Sequence, residues 1–319
     1  MHILNRIEIE HLLKSVDLCP LIEQGFKAYS SGKTVIPPIG ELSFKDPPGD
    51  VHIKYGYIKE DKYYVIKIAS GFWENDKYGI PNGQGMMLLF NQETGVPEAI
   101  LNDEAILTDV RTAIAGRICA SIMANDINCI GVIGTGVQAK LQIEYLKDIT
   151  QCRDIMVWGR KEDKAKKYAT FMNSRGFKCS VKSSVKDVCT ECNLIITATA
   201  SKTPIIFADY ILPGTHITAV GADAIGKREL GSGVISLANT VVADSIQQCI
   251  ERGEISYALS ENEIRKEQIC ELGNILLGKS RGRVNSNDIT VVDLTGVAVQ
   301  DIQIATAIFE LYLEKNNEI

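Results

Sequence analysis

"CIGVIGTGVQAKLQIEYL", residues 129–146, decides how this chain folds. An apolar run ends at Ile133, Gly134-Thr135-Gly136-Val137-Gln138-Ala139 follows directly, and a helical pattern opens behind it. That is the context the GxGxxG/A phosphate-binding fingerprint needs. Gly134 allows the tight turn, and Gly136 lets backbone approach a pyrophosphate. Ala139 lets helix pack closely on strand, and the helix N-terminus favours an anion. Glycines alone would carry little, because turns need them anyway. Strand, glycines, helix and a following strand together indicate a dinucleotide-binding βαβ unit.

The pattern continues outward on the C-terminal side. "DIMVWG", "KCSVK", "CNLIITATA", "HITAVGA" and "NTVVADS" are short apolar runs separated by helical segments. Such alternation predicts a parallel sheet covered on both faces. "DITVVDLTG" adds a strand before a final helix, "VAVQDIQIATAIFELYLEK". On the N-terminal side the texture differs. A short strand and an amphipathic helix occupy residues 1–30, then comes a proline-rich loop, "VIPPIGELSFKDPPGD". The strands "VHIKYGYI", "YYVIKIASGF", "GMMLLFN" and "PEAILND" follow, the last two flanking the hairpin loop "QETGV". A helix over "LTDVRTAIAGRICASIMAN" comes next, with Thr108 as its expected N-cap. The fold class is therefore α/β, a Rossmann doubly wound parallel sheet at residues 119–295. Residues 1–118 and 296–319 form a second, discontinuous α+β domain if the last helix packs back on the first part.

Composition narrows the function. The 319 residues are 45% hydrophobic and 23% charged, ample for a large core. A formal net charge of -6 gives no basic field for nucleic acid, so a small anionic substrate needs a local cationic pocket. The N-terminus lacks an uninterrupted apolar h-region, and no stretch of about 18 uncharged apolar residues is present, so neither signal peptide nor membrane span is expected. Nine cysteines, an odd number, read as reduced cytoplasmic thiols. The CxxC at Cys189–Cys192 has no second pair, and the four histidines lack ligand spacing, so no metal is expected.

In a dinucleotide unit, the second strand ends about 20 residues past the fingerprint with an acid for the ribose 2′-hydroxyl. Here that place is Gly159, followed by Arg160 and Lys161. A carboxylate would repel a 2′-phosphate, whereas a guanidinium beside a small residue accepts it. The reading is NADP(H) preference, with NAD(H) possible. Thr197, Ala198 and Thr199 close the next strand and are further candidate cofactor contacts. Asp223, just past "HITAVGA", is placed either for proton transfer or to cap a helix over "IGKRELGSG"; Lys227 follows four residues on. Lys67 sits within an apolar strand, either active or snorkelling to an edge. Arg111 is expected in the first helical turn, where the dipole disfavours a cation unless an anion intervenes. Together Lys67 and Arg111 suggest a carboxylate clamp. His52 and Lys54 alternate in "VHIKYGY" and face either the cleft or solvent.

The fingerprint, the lysine strand, "LTDVRTA", "GADAIGKREL" and "DLTGVAVQD", in this order, resemble the ornithine cyclodeaminase/mu-crystallin family over nearly the whole chain. The resemblance implies a Rossmann domain plus a discontinuous domain that forms a homodimer through strand-rich surfaces, and NAD(P) chemistry on amino acids and their imines. Position by position, it implies that Lys67 and Arg111 hold the substrate carboxylate and that Asp223 is the acid/base at the reacting amine or imine. Lys227 stands near it, and Val297 lies beside the nicotinamide ring. This chain lacks the family arginine after the proline loop. It has "HIKYGY" where cyclodeaminases carry a glutamate, Lys54 supplying a positive charge there, and Gly159 where they tend to carry an aspartate. These departures speak against ornithine cyclisation. The reading is a cytoplasmic, homodimeric NADP(H)-dependent reductase of a small α-imino acid, or an amino-acid dehydrogenase in reverse. Its rivals are a cyclodeaminase with bound NAD making proline and ammonia, and a non-catalytic NADPH-dependent binder of the mu-crystallin type.

Overall fold

The computed structural model describes residues 1–316. Within them the chain forms two compact units, Met1–Arg111 with the segment from Val297 onward, and Thr112–Gly296.

The first unit is built on β1 (His2–Asn5), β2 (Thr34–Val35), β3 (Gly40–Lys45), β4 (Pro48–Ile58), β5 (Tyr63–Phe72), β6 (Gly83–Asn91) and β7 (Pro97–Asn102). Among the described residues these make a seven-stranded sheet, ordered β1-β7-β6-β5-β4-β2 with β3 on β4. The proline-rich stretch expected to be a loop thus contains a strand, which turns back with Lys45 opposite Pro48. The single N-terminal helix expected over this region is two. In α1 (Arg6–Leu13), the Asn5 side chain accepts from the Ile7 and Glu8 amides, and Glu8 accepts from the Asn5 amide. Then α2 (Cys19–Ser30) opens with Pro20, where a missing N–H removes no helical bond. Register sets Lys54 opposite Lys67, Lys67 opposite Met87, and Met87 opposite Leu101. Directly paired residues share a face, so two lysines lie in a row with core side chains.

Helix α3 (Ile106–Met123) follows. Its cap is the Asp103 carboxylate, whose Oδ2 accepts from the Leu107 amide at 2.8 Å. Thr108 lies inside the helix rather than capping it, and Arg111 falls in the second turn rather than the first.

The second unit carries β8 (Ile130–Ile133), β9 (Asp154–Trp158), β10 (Lys178–Val181), β11 (Leu194–Thr197), β12 (His216–Ala219), β13 (Thr240–Ala243), β14 (Ile269–Glu271) and β15 (Thr290–Asp293). They form an eight-stranded sheet, β10-β9-β8-β11-β12-β15-β13-β14, with every pairing parallel. The helices α4 (Val137–Leu146), α5 (Glu162–Ser174), α6 (Val185–Glu191), α7 (Ile246–Cys249), α8 (Glu254–Ser260) and α9 (Leu272–Leu276) are interspersed. Two apolar layers result, one around Val132, Ile143, Tyr168 and Ile196, the other around Val188, Ile195, Ile217 and Val291. Each such Ile or Val contributes about 1.5–3 kcal/mol on full burial. Strand order reverses between β8 and β11, and ligands in open parallel sheets bind beyond the carboxyl ends of strands at that switch.

The last helix, α10 (Ala298–Lys315), belongs to the first unit and packs across β4, β5 and β6. Among the described residues no helix is long and apolar enough to cross a membrane.

Candidate functional site

At the switch point of the second unit lies a cleft of about 330 Å³, bordered by Gly134, Thr135, Gly159, Arg160, Thr199 and Lys164, with Lys161 and Ala198 in the same wall. The glycines there have specific duties. Gly134 has φ +127°, and a Cβ on it would come within 2.5 Å of the Ala198 carbonyl oxygen. Nothing stands within 4 Å of where a Gly136 Cβ would be, which leaves open room at the head of α4. A Cβ on Gly159 would approach the Thr135 methyl at 2.7 Å, so an acid could enter there only by displacing Thr135. Ala139 is buried against the sheet layer, and its carbonyl accepts from Tyr168 Oη at 2.7 Å. Arg160 and Lys161 are exposed just ahead of α5, whose first turn offsets them with Glu162 and Asp163. A helix N-terminus with free space in front of it and three cations in the wall, Arg160, Lys161 and Lys164, fit a nicotinamide dinucleotide.

Not every sequence candidate meets this cleft. Thr197 is fully buried, does not border the cleft and donates its hydroxyl to Glu229. Val137 and Gln138 open α4 but do not border the cleft. Val297 lies in the other unit, buried, as the residue ahead of α10. Asp223 stands in the loop after β12 and starts no helix there, which removes the capping role. Its Oδ1 accepts from Lys227 Nζ at 2.6 Å.

In the first unit, Lys67 and Arg111 are brought together by a residue the sequence reading passed over. Asp301, in the first turn of α10, lies 3.1 Å from Lys67 Nζ and 2.9 Å from Arg111 Nε. The three are at most 4% exposed. These contacts are close ion pairs without hydrogen-bond alignment, whereas Arg111 Nη1 does donate to Gln300 Oε1 at 3.0 Å. Burial pulls the Lys67 ammonium down from 10.5 to about 8; Asp301 props it up and Arg111 works against it. Burial also opposes the charge on Asp301, but Arg111, Lys67 and Lys54 outweigh it and hold the carboxyl below its ordinary value. Nearby, burial raises Asp103 to about 6 despite the bond from Leu107. Lys54 is buried on the same face; His52, two residues back, is half-buried with Nε2 3.8 Å from Asp50 Oδ2. The signal for Asp301 was in the sequence: "VAVQDIQIA" sets an amide and an acid inside an otherwise apolar run.

The model of the ornithine cyclodeaminase/mu-crystallin family matches residues 1–316. An alanine dehydrogenase of Archaeoglobus fulgidus is 32% identical over 316 residues, covering 98% of this chain and 96% of its own. An archaeal alanine dehydrogenase dimer with bound NAD superimposes with a TM-score of 0.90 at 31% identity, over 98% of this chain and 96% of that one. The Δ1-pyrroline-2-carboxylate reductase of Thermococcus litoralis, in complex with NADH and L-proline, gives 0.91 at 26% identity, over 99% and 98%.

Proposed function

The chain belongs to the ornithine cyclodeaminase/mu-crystallin family and is an NAD(P)-dependent oxidoreductase of the carbon–nitrogen bond, and within that class we propose that it reduces a small α-imino acid to the amino acid with NADPH, or runs the reverse dehydrogenation. The observation that carries this reading is the buried group around Asp301. Lys54, Lys67 and Arg111 are three buried cations that converge on the carboxylate of Asp301. Burying an ion costs several kcal/mol, and desolvated cations gathered in one place attract a ligand anion strongly because their field is weakly screened there. An α-carboxylate is that anion.

The bound dinucleotide supplies the hydride. In this reading Lys67 and Arg111 hold the carboxylate and fix the direction of the C=N bond. Asp223, held by Lys227, accepts a hydrogen bond from the protonated imine nitrogen and so stabilises the form that takes hydride best. Carbon gains the hydride and nitrogen keeps its proton, giving the amine. Gly159 with Arg160, Lys161 and Lys164 supports NADPH over NADH, since an ionised 2′-phosphate needs cations and tolerates no acid. The homologous dimer supports a homodimer for this chain.

The test is oxidation of NADPH and of NADH, followed by absorbance. The imines are pyrroline-2-carboxylate, piperideine-2-carboxylate, and pyruvate, glyoxylate or oxaloacetate mixed with ammonia or methylamine. Turnover with NADPH on at least one imine is expected, and Asp223→Asn should lose turnover far more than NADPH affinity. Silence with both coenzymes, or equal losses in Asp223→Asn, would overturn the reading.

A further inference from the structure

A carboxylate deep in the second unit takes no part in the chemistry above. Glu229 is fully buried and gathers three donors: the Thr197 hydroxyl, the Thr199 amide at 2.7 Å and the Gly221 amide at 3.0 Å. Thr197 ends β11, Thr199 lies in the wall of the dinucleotide cleft, and Gly221 follows β12 two residues before Asp223. One side chain therefore ties the loop that borders the cleft to the loop that bears the proton-handling acid.

The fit around it is close. A Cβ on Gly221 would meet the Thr199 carbonyl oxygen at 2.2 Å and Glu229 Oε2 at 2.4 Å, so the two loops touch only because residue 221 has no side chain. Glu229 is itself held in place. Glu254, at the head of α8, accepts from the Glu229 amide at 2.7 Å and the Leu230 amide at 3.0 Å. Such a chain of buried acceptors is costly, because no water is at hand to replace a lost partner. Its place between two functional loops points to a role beyond packing.

We propose that Glu229 is a positioning residue that locks the 198–201 wall of the dinucleotide cleft and the Asp223 loop into one geometry, so that its loss weakens coenzyme binding itself. This rests on the dinucleotide reading of the cleft. The charged groups around Glu229 sharpen the test. Burial pushes Glu229 up to about 7 against the three donors, and pushes the facing Glu254 up to about 8. Asp293 of β15, beyond Glu254, is raised well above its ordinary value, and Arg228 partly offsets Glu254. Below neutrality Glu229 takes up a proton and gives up an acceptor position that an amide or hydroxyl requires.

The experiment is titration of coenzyme into the full-length protein, followed by nicotinamide fluorescence, with thermal melting alongside. NADH serves for the pH series because it has no 2′-phosphate, a group that titrates near pH 6. Wild-type affinity for NADH is expected to fall as pH drops through about 7. In Glu229→Gln the amide donor faces N–H groups. Affinity for NADH and NADPH should then fall by about tenfold or more at pH 8, the factor carried by one charge-assisted hydrogen bond, and the pH step should vanish. Thr197→Val removes one donor that holds the Glu229 carboxyl down, so it should keep the step and move its midpoint upward, even if Glu229→Gln does not fold. A Glu229→Gln protein that melts lower yet binds coenzyme with unchanged affinity and pH profile would overturn the proposal. So would an unmoved midpoint in Thr197→Val. Wild type that binds neither coenzyme at any pH would overturn the dinucleotide reading and this inference with it.

Discussion

Replacing Asp301 with asparagine keeps the shape of the first unit's charged group and removes its shared anion. Lys67 and Arg111 both lose this carboxylate at side-chain exposures of 3% and 5%, where water cannot stand in, and Arg111 keeps only its bond to Gln300 among the contacts described above. Breaking a buried pair from one side costs about 3–5 kcal/mol. One cation has an escape. Lys67 already titrates at about 8 because of burial, and Asp301 is the group that props it up, so its pKa falls further in the variant. Deprotonation then limits the loss to about 3 kcal/mol, or about 6–12 °C in Tm for a domain of a few hundred residues. The sign of the pH dependence follows. A lysine whose folded pKa lies below 10.5 contributes stability that is fully present above 10.5 and is lost as pH falls through the folded value. The deficit of Asp301→Asn relative to wild type should therefore be larger at pH 6 than at pH 9. Thermal melts of both proteins at the two pH values, with and without L-proline as a carboxylate ligand, test this, and L-proline should narrow the gap. A deficit under about 1 kcal/mol at pH 6, or one equal at both pH values, would refute the reasoning.

Three further outcomes are expected. Arg160→Ala should weaken NADPH by about tenfold or more while leaving NADH almost unchanged, read by fluorescence titration; equal effects on both would remove the 2′-phosphate role. In wild type, kcat/KM for the imino acid should decline above about pH 8 as Lys67 loses its proton, and Lys67→Arg should shift that decline upward; a profile flat to high pH contradicts it. Asp103, raised by burial from 3.8 to about 6, contributes stability below 3.8 that is lost as pH rises through 6. Asp103→Asn keeps an acceptor for the Leu107 amide and should flatten the fall in Tm between those values, whereas Asp103→Ala should also lose about 1 kcal/mol of helix capping.

How much of this was legible in the sequence depended on the range of the signal. The Rossmann unit was readable because each strand announces itself locally: buried on both faces, "CIGVIG" and "CNLIITATA" are continuous apolar runs, and the turn after β8 needs its glycines. Lys67 could be singled out because a charge inside such a strand breaks the pattern. Its partner could not be assigned, since Asp301 is far away in sequence and only the packing of α10 on β5 brings the two together. The cap of α3 was misplaced because threonine and aspartate are both good caps, and Asp103 reaches forward from outside the helix to Leu107. Asp223 gave two readings with one local signature, and only the absence of a helix after it decides against the cap. Glu229 was invisible as a working residue because a glutamate in "GKREL" looks like any solvated charge.

The two sets of cations solve different problems, and this has a consequence for how the protein can change. Arg160 and Lys161 are exposed and hydrated before a ligand arrives, so they cost the fold little and are read only by what docks on them. Lys67 and Arg111 are desolvated in advance, held by Asp301, and add their field in a medium where charge is weakly screened. Exchanging the first set moves coenzyme preference and leaves stability nearly constant. Exchanging a member of the second leaves a buried charge without its counterpart, so recognition and stability fall together. On the proposed reading, coenzyme choice is therefore the adjustable property of this chain and carboxylate recognition the fixed one. A diversified enzyme of this kind should vary its partner nucleotide and its substrate side chain long before it gives up an α-carboxylate.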